Sequence, residues 1–62
     1  MINAYRIGDV VEWTDDNNVK HTGTVIEWAY DPVTIRTQYL IKLPNGQYIA
    51  KWDCDIRRVD DT

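Results

Sequence analysis

Apolar and polar side chains alternate with a period of two along most of the chain, the spacing that presents one face of a strand to a core and the other to water. The run Gly8-Asp9-Val10-Val11-Glu12-Trp13-Thr14 opens on a turn residue and continues as a first strand, with Val11 and Trp13 on one face and Val10 and Glu12 on the other. Asp15-Asp16-Asn17-Asn18 has side chains that cap turns and tolerate left-handed backbone, so it predicts a loop tip. Thr22 to Trp28 reads as a second strand ending near Tyr30, with Val25 opposed in parity to Ile26 and Trp28, and with Gly23 marking a bulge or a close backbone approach. Asp31 to Thr37 carries no clear period and predicts a long loop, in which Ile35 fits poorly. Gln38 to Leu43 alternates cleanly, placing Tyr39, Ile41 and Leu43 on one side and Leu40 and Lys42 on the other. Pro44-Asn45-Gly46-Gln47 predicts a tight hairpin turn and Gln47 to Trp52 a fourth strand. Asp53-Cys54-Asp55 predicts a short helical turn, and Ile56 to Val59 a last strand anchored inward by Ile56 and Val59, ahead of a frayed Asp60-Asp61-Thr62 tail.

Composition agrees with the pattern. Among 62 residues, 19 are Val, Ile or Thr, while Ala, Leu and Glu together number seven, so propensity favours strands. A chain of this length holds one small domain, 1–62, with flexible ends expected at 1–4 and 60–62. Five short strands are expected to curl into a strongly bent all-β barrel, because full closure removes exposed edges. Seven basic and ten acidic residues leave a formal charge of -3, which opposes wholesale binding to a nucleic-acid backbone. The imbalance is local: six acids and two bases precede Val33, and five bases and four acids follow from it. A lone cysteine, Cys54, excludes an internal disulfide and suits a reducing cytoplasm. No signal peptide or membrane-length apolar run is present, so a cytoplasmic location without membrane contact is expected. The limited core of so short a chain, and its partly open edges, favour self-association.

The segments Gly8-Asp9-x-Val11, Gly23-Thr24-Val25, Tyr39-Leu40-Ile41-Lys42-Leu43 with its Gly-containing turn, and Asp55-Ile56-Arg57-Arg58-Val59 resemble SH3-like small β-barrels of the KOW and Tudor-like kind across nearly the whole chain. The resemblance implies a five-stranded barrel with a 3₁₀ turn before the last strand. It implies no particular job, because such barrels serve unrelated ones.

Little in the sequence provides for covalent chemistry. Serine is absent, and His21 and Cys54 lie on distant segments without an orienting group, so His21 is expected on the rim of strand two and Cys54 as a small buried side chain. Asp53-x-Asp55 and Asp15-Asp16-Asn17 offer hard oxygens without the spacing of a calcium loop, and read as turn and cap residues. The chain is therefore expected to need neither metal nor cofactor and to have no catalytic residues.

The aromatic set carries more information: three Trp, four Tyr and no Phe. Trp and Tyr combine an apolar body with a polar tip, which suits half-exposed positions and partner surfaces. Trp13 and Tyr39 should point inward by parity. Trp28, Tyr30, Tyr48 and Trp52, with Asp53 nearby, are the candidate partner-binding residues, a patch for a cationic or Pro-rich peptide. The expected function is thus a non-enzymatic interaction module that binds a protein partner, or itself. The acidic balance allows a variant that mimics nucleic acid toward a basic target, as small proteins of phages and mobile elements do.

Two alternatives stand beside it. In a KOW-like nucleic-acid-binding barrel, Arg36, Lys42, Lys51 and Arg58 would form a small anion-binding face. The Gly8-Asp9-x-Val11, Gly23-Thr24-Val25 and Trp28 set also resembles the plasmid-borne trimethoprim-resistant dihydrofolate reductases, oligomeric barrels whose shared pore is lined by a Val-Gln-Ile-Tyr stretch after the last hairpin turn. The corresponding stretch here, Tyr48-Ile49-Ala50-Lys51, lacks the Gln and the Tyr at the needed positions, so no reductase activity is expected.

Overall fold

The computed structural model describes residues 5–59, so the expectations for 1–4 and 60–62 fall outside the described residues. Five antiparallel strands form one sheet: β1 (Val10–Thr14), β2 (Lys20–Asp31), β3 (Arg36–Lys42), β4 (Tyr48–Trp52) and β5 (Arg57–Arg58), with a 3₁₀ turn at Asp53–Asp55 before the last. Their order across the sheet is β4-β3-β2-β1-β5, so all neighbours but one are joined by hairpins. The chain is all-β, as its pattern predicts. The expected closure is not found. No pairing joins β4 to β5, because the 3₁₀ turn carries the chain between them and β5 is only two residues long.

Each hairpin is set by local chemistry. At the first, Asp15 Oδ1 accepts from the N–H groups of Asn17 and Val19 at 2.8 and 3.0 Å, and Asn18 takes the left-handed conformation with φ 65°. At the third, Asn45 Oδ1 accepts from Gln47 N–H at 2.9 Å and Gly46 supplies φ 91°. The second corrects the expected loop. β2 and β3 run on to a four-residue turn at 32–35, where Asp31 Oδ1 accepts from Val33 N–H at 2.9 Å and Oδ2 from the Thr34 hydroxyl at 3.1 Å. The run Pro32-Val33-Thr34-Ile35-Arg36 is exposed throughout and so carries no alternation, although the strands on either side reach Asp31 and Arg36.

That turn ends on Ile35, which stands 64% exposed with φ 60°. A β-branched L residue in this region costs roughly 1–2 kcal/mol. Ile35→Gly is therefore expected to raise the melting temperature by a few degrees, the gain reduced by the chain entropy of glycine. A lower melting temperature would contradict the strain.

The core lies on one side of the sheet and consists of Val11, Trp13, Val25, Tyr39, Ile41 and Ile56, against which Tyr5, Leu43 and Ile49 pack. The Tyr5 ring meets Tyr39 edge-on, with centroids 5.2 Å apart, and its hydroxyl donates to the Ile56 carbonyl at 2.9 Å. Tyr5 thus ties the lead segment to the approach to β5. Gly23 is buried where β1 and β3 flank β2. A Cβ there would run into Ile41 Cγ2 and lie 3.0 Å from the Lys42 carbonyl oxygen, so Gly23 answers a close approach. The bulge itself sits further on, where the register shifts between Val25 and Glu27.

Candidate functional site

The register assigns each side chain to a face, because residues directly opposed in an antiparallel pair project to the same side. Val25 opposes Ile41 and, after the bulge, Trp28 opposes Tyr39 and Tyr30 opposes Thr37. Trp28 and Tyr30 therefore share the core side with Val25, contrary to the parity expected from the sequence. One extra residue on the bulged strand is enough to reverse every side chain beyond it. Both rings are still exposed, at 43% and 42%, although their register partners Tyr39 and Thr37 are buried.

Tyr48 opposes Lys42 and Trp52 opposes Gln38, on the outer face; Tyr48 is 56% exposed and Trp52 half-buried. The four candidate rings are thus divided two and two between opposite sides of the sheet and do not form one patch. Asp53 belongs with the core-side group, where its Oδ2 accepts from Thr37 N–H at 3.1 Å and adds to the upward shift of the Tyr5 hydroxyl. Burial is the main cause of that shift, Tyr39 reinforces it and the Arg58 guanidinium opposes it.

On the outer face, β2, β3 and β4 build a shallow groove lined by Glu27, Ala29, Gln38, Leu40 and Ala50; Trp28, between Glu27 and Ala29 on β2, also borders it although its register partner Tyr39 lies on the core side. Cross-strand pairing stacks Glu27, Leu40 and Ala50 in one row and Ala29, Gln38 and Trp52 in the next. Two alanines, Ala29 on β2 and Ala50 on β4, placed diagonally across β3 leave the depression, half-buried Leu40 forms its floor, and Tyr48 and Trp52 flank Ala50 along β4. Glu27 is the one carboxylate lining it and makes no ion pair or side-chain hydrogen bond among the described residues. The sequence places Leu40 and Lys42 opposite the core correctly. It conceals the groove because Glu27 and Ala29 join that face only through the bulge.

The four basic candidates do not converge either. Lys51 opposes Tyr39 on the core side and holds its ammonium 5.8 Å from the centroid of the Trp13 ring. Arg58 pairs with Asp9 at 3.0 Å and lies over the Tyr5 ring. Lys42 is on the outer face beside Tyr48, and Arg36 stands at the far end of the ribbon, where Nη1 donates to Cys54 Sγ at 2.6 Å. Arg57, on β5, is held by Glu12 at 2.6 Å, a carboxylate that Lys20 also approaches at 3.8 Å.

Cys54 is exposed rather than buried. The 3₁₀ turn leads out of the sheet before the chain dips back at Ile56, so the thiol faces Arg36 and not the core. His21 is half-buried. It opposes Trp13 in register and stacks on its ring at 5.9 Å, while Nε2 meets Asp15 Oδ2 at 2.7 Å. Asp15 is thus both the cap of the first hairpin and the partner of His21, whereas Asp53 and Asp55 lie in the 3₁₀ turn without capping it, and the Asp53 carboxylate accepts from Thr37 on β3 instead. Among the described residues, no three His, Cys, Asp or Glu side chains gather as a metal site, and no helix is long and apolar enough to cross a membrane.

The hydrogen bond from His21 holds the Asp15 carboxyl below the usual carboxylate range, and the Val19 N–H adds to the effect. A carboxyl depressed in the folded state contributes stability above its unfolded pKa and loses it as pH falls through the folded one. Wild type should therefore lose melting temperature between about pH 4 and pH 2 more steeply than Asp15→Asn. Parallel curves would show that the Asp15 contacts are not retained in solution.

Searches against protein-family models, curated proteins and solved structures find no match to this chain.

Proposed function

We propose that the protein is a non-enzymatic interaction module whose outer face receives a cationic, partly apolar segment of a protein partner. The observation that carries this reading is the groove on β2, β3 and β4: an apolar bed of Leu40, Ala29 and Ala50 beside an unpaired Glu27, between the rings of Tyr48 and Trp52. The aliphatic stem of a lysine or arginine fits over small apolar side chains while its head group reaches a carboxylate, and flanking aromatic faces add attraction for the cation. The net charge of -3 assists encounter with a basic partner. The proposal includes an SH3-like ancestry, which the strand order and the 3₁₀ turn before β5 favour. The dispersal of Arg36, Lys42, Lys51 and Arg58, two of them engaged with Trp13 and Asp9, speaks against a nucleic-acid face.

The test is titration with a short peptide alternating lysine and apolar residues, with an acidic peptide of equal length as control. Glu27→Gln is expected to weaken binding by about tenfold, equivalent to ~1.4 kcal/mol. Ala29→Arg should fill the groove with a like charge and abolish binding while circular dichroism stays that of the wild type. Binding indifferent to both substitutions would remove the reading. Turnover of NADPH with dihydrofolate would replace it with the reductase alternative.

A further inference from the structure

Among the described residues no strand pairs with the outer side of β4, and the hydrogen-bonding groups of that edge can be assigned. Leu43 N–H donates to the Gln47 carbonyl at 2.7 Å, so residues 43 and 47 form a bonded pair. Bonded and non-bonded pairs alternate in an antiparallel ladder. Ile41 with Ile49 and Tyr39 with Lys51 are therefore bonded, whereas Lys42 with Tyr48, Leu40 with Ala50 and Gln38 with Trp52 are not. The Thr37 N–H bond to Asp53 continues the same alternation on the same side of β3. The N–H and C=O groups of Tyr48, Ala50 and Trp52 consequently point away from β3, into the open edge.

We propose that this edge pairs with the β4 edge of a second copy, antiparallel about a two-fold axis at Ala50, to give a continuous ten-stranded sheet. In this register Tyr48 opposes Trp52 of the second copy, Ala50 opposes Ala50, and the three outward-facing residues exchange about six backbone hydrogen bonds. On the outer face the two aromatic pairs come together across the junction, with the small alanines between them at the axis. Charge selects the register. Sliding one step toward the end of the strand would set Lys51 against Lys51, and sliding one step back would set Trp52 against the Gly46 turn. In the proposed register Lys51 faces Ile49, and no acid lies in β4.

β4 holds no proline and no bulge, and its one charge, Lys51, is turned over Trp13, away from the outer-face junction. The area covered is at the low end for specific interfaces, so the dimer is weak, half-formed at about 0.1 mM. This pairing is independent of the peptide reading, although it would join two outer-face grooves side by side.

Sedimentation velocity across about 10 µM to 1 mM tests it, with two variants. Ala50→Pro removes an N–H that points outward and leaves the β3 ladder intact, so it should fold and remain monomeric. Ala50→Lys, whose side chain stands on the exposed outer face, should likewise be monomeric through like-charge repulsion at the axis, and guards against a proline variant that fails to fold. Wild type that dimerises with concentration while a folded variant does not supports the pairing. A wild type that stays monomeric at 1 mM, an assembly larger than a dimer, or folded variants that dimerise as well as wild type would each overturn it. Peptide binding measured on wild type at concentrations far below the dimer midpoint, where the chain is monomeric, keeps the two proposals separate.

Discussion

Tyr39→Ala is expected to lower stability by about 4 kcal/mol, the range for removing a fully buried aromatic from a small core. Tyr39 is fully buried at the middle of β3, on a face shared with Ile41 and edge-on to Tyr5, and its hydroxyl accepts from Tyr5 N–H at 3.3 Å. Domains of this size have a total stability of only several kcal/mol, so the variant should be largely unfolded at 37 °C. Tyr39→Phe, which keeps the ring and loses one long hydrogen bond, should cost about 1 kcal/mol or less. Urea titration of the three proteins checks both values. A midpoint for Tyr39→Ala close to that of wild type would mean that the core is not organised around this ring.

The second large effect is expected from adding a single methyl. Gly23→Ala places a Cβ against Ile41 Cγ2, 3.0 Å from the Lys42 carbonyl oxygen and 3.4 Å from the Trp13 ring. A backbone oxygen and two core side chains cannot all retreat, and overpacking of this kind costs roughly 1–3 kcal/mol. The cost belongs to a particular neighbour, which makes it testable. In an Ile41→Ala background the added methyl should cost much less, the remainder coming from the Lys42 carbonyl oxygen, a coupling that a double-mutant cycle reads directly. Equal costs in both backgrounds would place the strain elsewhere. Gly46 contrasts with Gly23: it has open space around its Cα and is glycine only because φ is 91°.

The parts of this fold that could be read from the sequence are those fixed by contacts close along the chain. Val11 and Trp13 against Glu12, Tyr39 and Ile41 against Leu40, the Asn-Gly turn and the Asp-Cys-Asp turn all follow from a two-residue period or from side chains that cap their own backbone. What escaped depends on pairing between strands. The bulge at Ile26 has no local signature, yet it moves Trp28 and Tyr30 to the core side and brings Glu27 and Ala29 outward beside Leu40. The expected ring patch fails for that reason, and the groove appears for the same one. Ile35 misled in the opposite way: an apolar side chain argued against an exposed turn, and it occupies one at the cost of backbone strain. Free cysteines are usually buried, but Cys54 sits on a turn that leads out of the sheet and is exposed.

The order β4-β3-β2-β1-β5 also bears on how the chain assembles as it is made. Three of the four pairings join neighbours across short turns and can zip up in sequence as they leave the ribosome, each with little entropy lost to loop closure. The fourth, β1 with β5, joins Glu12 to Arg57, 45 residues apart, and cannot begin until β5 has emerged. Until Ile56 arrives to receive the Tyr5 hydroxyl, the nascent meander has one side of its interior uncovered. Folding should therefore finish with a late docking step, and a chain truncated after Trp52 should stall as a loosely packed, aggregation-prone ribbon.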